Sequence, residues 1–384
     1  MRWASTSKRT SSNETCTGPS KDLYNNESRF GLINNRVDDM SIEVREVTDD
    51  DFEQWNRYVE RSPQADLFHR REALQAQADE VGCQLHHLIG FKGQEPVGIF
   101  PVFEIQKGPL ATAFSPPPDL RIPYQGPALL NMGKLKQRKA ERRHQSFLEE
   151  CFDWINDELN PRYIHVRLNG TYPDLRPMQW EGFEATPAYT YLVDLTPDED
   201  DLLLSFSSDA RSNIRDGRDS DDVSIEVEGH DAVLNILERV RERYENQGIA
   251  FHLSDAFVTE LYERLPEGAL RPYVCRVSGE FVGGILAYEH GDTIYRWQGG
   301  VKTDADVGVS INDNLDWAVM EDAKSRGITT YDLVGAENPR INKYKAKFNP
   351  DLQEYYTLEH GSTAINIAAH FYKQLRSSTV LGSK

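Results

Sequence analysis

Residues 271–301 read RPYVCRVSGEFVGGILAYEHGDTIYRWQGGV, three strand-like runs parted by the turns Ser278-Gly279-Glu280 and His290-Gly291-Asp292. Connections this short predict an antiparallel meander, with strands over 271–278, 281–289 and 293–299. Parallel neighbours would need a crossover of a dozen or more residues. Downstream, Ser310-Ile311-Asn312-Asp313 has the form of a capped helix start, and Gly327 ends that helix. A strand over 329–334 (TTYDLV), a short helix near 339–347 and a strand at 353–359 complete the unit. Upstream, a helical segment at 197–217, an alternating strand at 222–228 and helices at 230–246 and 254–264 lead into the meander.

The preceding part of the chain has the same order of elements. A strand at 42–47 is followed by helices at about 50–60 and 67–80, then by strands at 84–91 and 95–105 joined at Gly93. The proline-rich stretch from Ser115 to Pro127 cannot be a central strand throughout. A long helix at about 135–158 and strands at 162–168 and 188–195 follow. The repeat lies in element order, with no repeat of letters. It predicts an α+β protein of two tandem units, mixed and mostly antiparallel sheets flanked by helices, over 40–195 and 196–376. Residues 1–39, rich in Ser, Thr and Asn without helix or strand periodicity, and residues 377–384 are expected to be disordered tails, with Met40 a candidate initiator.

Composition limits the function classes. The 384 residues are 39% hydrophobic and 27% charged, as in a folded protein. The longest apolar runs, Val97–Phe103 and Phe281–Tyr288, are strand-sized, so no membrane span is expected. The N-terminus has no apolar stretch behind its charges, and the expected location is the cytoplasm. Cys16, Cys83, Cys151 and Cys275 are far apart and show no metal-ligand spacing, so no metal is expected. The net charge is −19, and 14 lysines stand against 29 arginines. An acid-rich, lysine-poor chain suits a cytosol of high salt, where repulsion is screened. It also argues against a broad nucleic-acid surface, and no DNA partner is expected.

Within this acidic chain the cations gather in three places. Lys134, Lys136, Arg138, Lys139, Arg142 and Arg143 have one acid, Glu141, among them. Arg211, Arg215 and Arg218 share one helix face, and Arg340, Lys343, Lys345 and Lys347 follow Pro339 closely. Such groups suit anionic ligands such as phosphates, or else solvated faces paired to local acids. No phosphate-loop, zinc-protease or nucleophile-elbow motif is present.

RWQGGV (296–301), the capped helix after Ser310, YDLVG (331–335) and YKAKF (344–348) together resemble the C-terminal half of Fem-type peptidyltransferases and their GNAT relatives. RSNIRDG is similar to the helix that joins their two GNAT-like halves, and YQGP (124–127) resembles a motif of their first half. The resemblance spans about 41–375 in the right order. It implies tandem GNAT-like domains and acyl transfer to an amine, with acetyl-CoA or another acyl-CoA as donor and a small-molecule amine as acceptor. Aminoacyl-tRNA is the alternative donor, and a non-catalytic binding protein on the same scaffold is the other reading. By that resemblance Lys345 stabilises charge on the donor or oxyanion, and Asp332 at its strand end is the candidate base. Arg211, Arg215, Arg340, Gly308 and Ser310 hold the donor's phosphates, and Tyr124 and Trp297 line the acceptor pocket. The loop expected to cradle CoA pyrophosphate, KTDADVGVS (302–310), has one glycine and two acids.

Overall fold

The computed structural model describes residues 41–108, 110–301 and 308–362. The expected tails, 1–39 and 377–384, lie outside the described residues.

In the first half, β1 (Glu43–Glu46) is followed by α1 (Asp49–Phe52), α2 (Trp55–Arg61) and α3 (Arg71–Val81). Strands β2 (Gln84–Lys92), β3 (Glu95–Lys107) and β4 (Leu110–Ser115) form an antiparallel meander, and a short β5 (Ala128–Leu129) pairs with β3. Helix α4 (Gln137–Glu158) then crosses to β6 (Tyr163–Leu168), which lies parallel to β4. A short α5 (Arg176–Trp180) leads into β7 (Glu184–Asp194). Helix α4 buries His144, Phe147, Leu148, Cys151 and Ile155, spaced three or four apart, and so covers the sheet with one apolar stripe.

The second half repeats this course. Helices α6 (Glu199–Ser205) and α7 (Ser208–Arg218) precede β8 (Val223–Val227), then α8 (His230–Asn246) and α9 (Asp255–Arg264). The meander of β9 (Leu270–Val277), β10 (Glu280–His290) and β11 (Thr293–Val301) matches the quoted stretch. Helix α10 (Ile311–Ser325) crosses to β12 (Thr330–Asp332), parallel to β11, and α11 (Pro339–Lys345) leads to β13 (Asp351–Gly361).

The sheets of the two units are joined. The strands form one sheet in the order β1-β2-β3-β4-β6-β13-β7-β12-β11-β10-β9-β8. Each half's last strand has crossed over: β13 pairs with the first half's β6, and β7 pairs with the second half's β12. The two exchanged strands pair with each other, from Asp351 opposite Leu192 to Glu359 opposite Glu184. Side-chain packing follows the same exchange. Leu67, Phe68 and Ile122 of the first half share a core with Ile236, Leu237, Phe257 and Tyr288 of the second.

Candidate active site

Where the exchanged strands meet, a cavity of about 480 Å³ opens. Its wall includes Tyr124 from the YQGP segment, Asn169 just past β6, Thr190 on β7, Tyr295 on β11 and Asp332 at the end of β12. The C-terminal ends of both parallel crossover strands therefore face it, an arrangement that leaves strand-end side chains free to meet a ligand.

Asp332 is the most constrained of these residues. It is buried, and Oδ2 accepts the Tyr124 hydroxyl at 3.0 Å. Oδ1 accepts the Val334 amide at 2.7 Å and the Thr190 hydroxyl. Burial raises its pKa above the usual carboxylate value, against the lowering effect of Thr190 and the Val334 amide. The two residues that follow Leu333 are left-handed, Val334 at φ 51° and Gly335 at φ 81°. A β-branched residue in that region is strained, and its neighbours must hold it there. The Gly335 amide donates to Thr190 Oγ1 at 3.1 Å, and Lys345 Nζ donates to the Val334 and Gly335 carbonyls at 2.8 and 2.5 Å.

Lys345 therefore departs from its expected role. It is 8% exposed and is turned onto the loop that follows Asp332, as a strut behind the wall. Burial lowers its pKa to about 8. Trp297 is corrected as well: its Nε1 donates to the Arg121 carbonyl at 2.9 Å, and its ring joins the core shared by the halves. Tyr124 and Asp332 are the two predicted residues that the cavity brings together.

The predicted phosphate ligands fare differently. Arg211 donates to the Leu204 and Phe206 carbonyls at 2.9 and 3.2 Å, closing the end of α6. Arg218 lies 4.9 Å over Trp317 and pairs with Glu199 and Glu321. Arg215 and Arg340 are exposed. Residues 302–307 of the expected CoA loop lie outside the described residues, and Gly308 is exposed and left-handed at φ 58°. Ser310 Oγ donates to Asp313 Oδ2 at 2.8 Å, and the same carboxylate accepts from Asn213, with Lys347 Nζ 3.5 Å away. Asp313 is fully buried. The Asp313 carboxylate thus lies in the first turn of α10 bonded to side chains, and Ser310 makes no side-chain cap to the backbone of that helix.

Sequence reasoning missed Thr190, Tyr295, Asn169 and, behind the wall, Asp66. Asp66 is buried; Oδ2 accepts the Tyr288 hydroxyl at 2.9 Å and Oδ1 accepts the Phe68 amide at 2.8 Å. Burial raises its pKa to about 7. Tyr288 stacks on Tyr295 with ring centroids 4.4 Å apart. Asp66 precedes a helical turn and reads in sequence as an ordinary cap; nothing local marks its contact with a residue 222 positions later.

A profile described as an acetyltransferase (GNAT) domain matches residues 205–346. That segment is a GNAT acyltransferase domain. Among solved structures, FemX shares 14% identity at a TM-score of 0.63, covering 82% of this chain and 96% of that one. The C-terminal domain of a putative lysylphosphatidylglycerol synthetase from Agrobacterium fabrum shares 15% at 0.54, covering 87% and 99%. The L-PGS structure from Bacillus licheniformis shares 13% at 0.50, covering 87% and 98%. At these identities the likeness is one of fold, and it extends the GNAT-related, Fem-type architecture over both halves. No curated protein matches. Among the described residues no helix is long and apolar enough to cross a membrane.

Proposed function

We propose that this GNAT-related acyltransferase acylates a primary amine held in the cavity between the halves. The observation that carries the reading is the buried Asp332, fixed by Tyr124, Thr190 and the Val334 amide at the cavity wall. In the reaction the neutral amine nitrogen attacks the acyl carbonyl carbon. A C–N bond forms, the bond from that carbon to the carrier breaks, and the carrier leaves as its protonated thiol or hydroxyl. The nitrogen's surplus proton passes to the Asp332 carboxylate and from there to the departing carrier; burial raises this carboxyl's pKa above the usual value and so makes its carboxylate a better base. Tyr124 presents its hydroxyl beside that carboxylate, and Lys345 acts as a positioning residue through the Val334–Gly335 carbonyls.

Mass-spectrometric detection of amide products tests this, with acetyl-CoA and aminoacylated tRNA offered in separate reactions to a panel of primary amines. Asp332→Asn is nearly isosteric and should lower turnover about 10²–10⁴-fold, the usual contribution of a general base, with little change in Tm. Undiminished turnover in that variant would remove Asp332 from the mechanism. No product with any donor–amine pair, despite tight amine binding, would favour a binding protein on this scaffold.

A further inference from the structure

Behind Asp332 stands a second buried acid that the reaction above does not use. Tyr288 on β10 is registered opposite Tyr295 on β11, and Tyr295 opposite Asp332 on β12. Residues registered in this way share one face of the sheet, so the three form a row about 10 Å long, at ~4.8 Å per strand. Asp66 closes the far end of that row, where its Oδ2 accepts the Tyr288 hydroxyl at 2.9 Å. The Tyr288 and Tyr295 rings stack at 4.4 Å, and the Tyr295 ring meets the Tyr124 ring edge-on at 6.4 Å. Tyr124 in turn donates to Asp332. Asp66 and Asp332, 1% and 2% exposed, thus stand at the two ends of one packed set of tyrosines.

Two charged carboxylates in so dry a wall are costly, so one of them retains a proton. The donors around each decide which. Asp332 accepts from Tyr124, Thr190 and the Val334 amide, and the Lys345 ammonium lies on the carbonyls of the same loop. Asp66 accepts only from the Phe68 amide and Tyr288, and among the described residues no cation pairs with it. His69 on its own turn accepts the Asp66 amide at Nδ1. Burial lowers the pKa of His69, and of His290 on β10, to about 4, so both are neutral. Arg70 is paired with Glu60 and Glu72. Burial pushes the Tyr288 and Tyr295 hydroxyls well above their usual pKa, so neither carries charge. Burial first, and the Asp332 charge in addition, raise Asp66 to about 7.

We propose that Asp66 and Asp332 share a single proton near neutral pH, and that Asp66 keeps it as a positioning residue for the base. This deepens the acyl-transfer reading and rests on it. A protonated Asp66 leaves Asp332 the one ionised acid of the set, ready to take the amine's proton. An ionised Asp66 tightens the hold of Asp332 on that proton, and its return to the departing carrier slows. The two titration steps belong to the pair, and the upper one sets the alkaline limb of turnover.

Infrared difference spectroscopy tests the pair without substrate, since protonated and ionised carboxyls absorb apart. The full-length wild type, Asp66→Asn, Asp332→Asn and Tyr288→Phe are titrated from pH 4 to 9, with circular dichroism checking the fold. The wild type should lose one buried protonated carboxyl near pH 7, and Asp66→Asn should lack it. Asp332→Asn should keep it but release the proton at lower pH, because the repelling charge is gone. Tyr288→Phe should release it about 1–2 pH units higher, since a hydroxyl that favours the charged form is lost. Persistence of the step in Asp66→Asn, its absence from the wild type, or the same midpoint in wild type and Asp332→Asn would overturn the proposal. In turnover, wild-type kcat should decline through the same step, Asp66→Asn should lack that decline, and Tyr288→Phe should show it later. Coincident kcat–pH profiles for wild type and Asp66→Asn would remove Asp66 from any part in the reaction. If the titrations behave as expected while no donor–amine pair gives product, the acyl-transfer reading fails and the shared proton stands.

Discussion

Helices α4 and α10 hold the same place in the two halves: each crosses between parallel strands of the sheet. Their first turns are opposites. Helix α10 begins on a buried carboxylate, Asp313, with Ser310, Asn213 and Lys347 around it. Helix α4 has no acid in its first turn and is ringed by exposed cations. A GNAT scaffold ordinarily has one use for such a start, the binding of phosphate by unpaired backbone amides and local positive charge. Here the start of α10 buries a carboxylate among polar side chains, while the start of α4 keeps its cations exposed.

The largest effect expected from breaking this contrast comes at Asp313. Asp313→Ala removes the acceptor for three donors, at a cost of about 1–3 kcal/mol for each that is left unsatisfied, while Lys347 keeps its pair with Asp209. The vacated place should then bind inorganic phosphate. Phosphate should raise the variant's Tm and leave the wild type's unchanged; equal gains in both would mean that α10 was never filled.

The second effect concerns a buried acid that has tyrosine and an amide for partners in place of a cation. The folded pKa of Asp66 is about 7 against 3.8 for the free group, so the folded state binds more protons between those values. Its contribution is full below about pH 4, falls as pH rises through 7, and is flat above that. Asp66→Asn should therefore remove up to about 4 kcal/mol of stability decline between pH 4 and 7, at 1.36 kcal/mol per pKa unit. Parallel pH–stability curves for variant and wild type would refute the shift.

Next is Lys345→Met, which keeps the stem and removes the ammonium. Two buried carbonyls lose their donor, for about 1–3 kcal/mol. Because the loop carries Asp332, kcat should fall more than KM changes. A variant that loses activity without any loss in Tm would return Lys345 to direct chemistry. The smallest effect is general: if the −19 charge repels itself, Tm should rise by a few degrees from 0.1 M to molar KCl. A flat response would show that the acidic surface is already neutralised by local pairing.

Much of the fold was legible because its signals are local. The meander at 271–301, the long α4 and α10 each follow from turn residues and periodicity within a single window. The exchange of β7 and β13 was not legible, since alternation tells which face a strand buries but not which neighbour it takes. The site divides the same way. Tyr124 and Asp332 stood in recognisable motifs and do meet. Lys345 was read as a ligand-facing cation because sequence shows charge and hides burial. Thr190 and Asp66 are common residue types whose importance lies wholly in partners 142 and 222 positions away.

The strand exchange has a consequence for the order in which the protein can be made. Strand β6 waits for its neighbour β13, so Leu168 cannot be covered until Tyr356 has left the ribosome. At roughly 5–20 residues per second that delay is on the order of 10–40 s. During that time the nascent first half offers an unpaired sheet edge, open to annealing with another copy of itself. Synthesis on crowded polysomes should therefore favour interleaved dimers, in which one molecule's β13 completes another's β6. Slower initiation, which spaces the ribosomes, should restore the monomer.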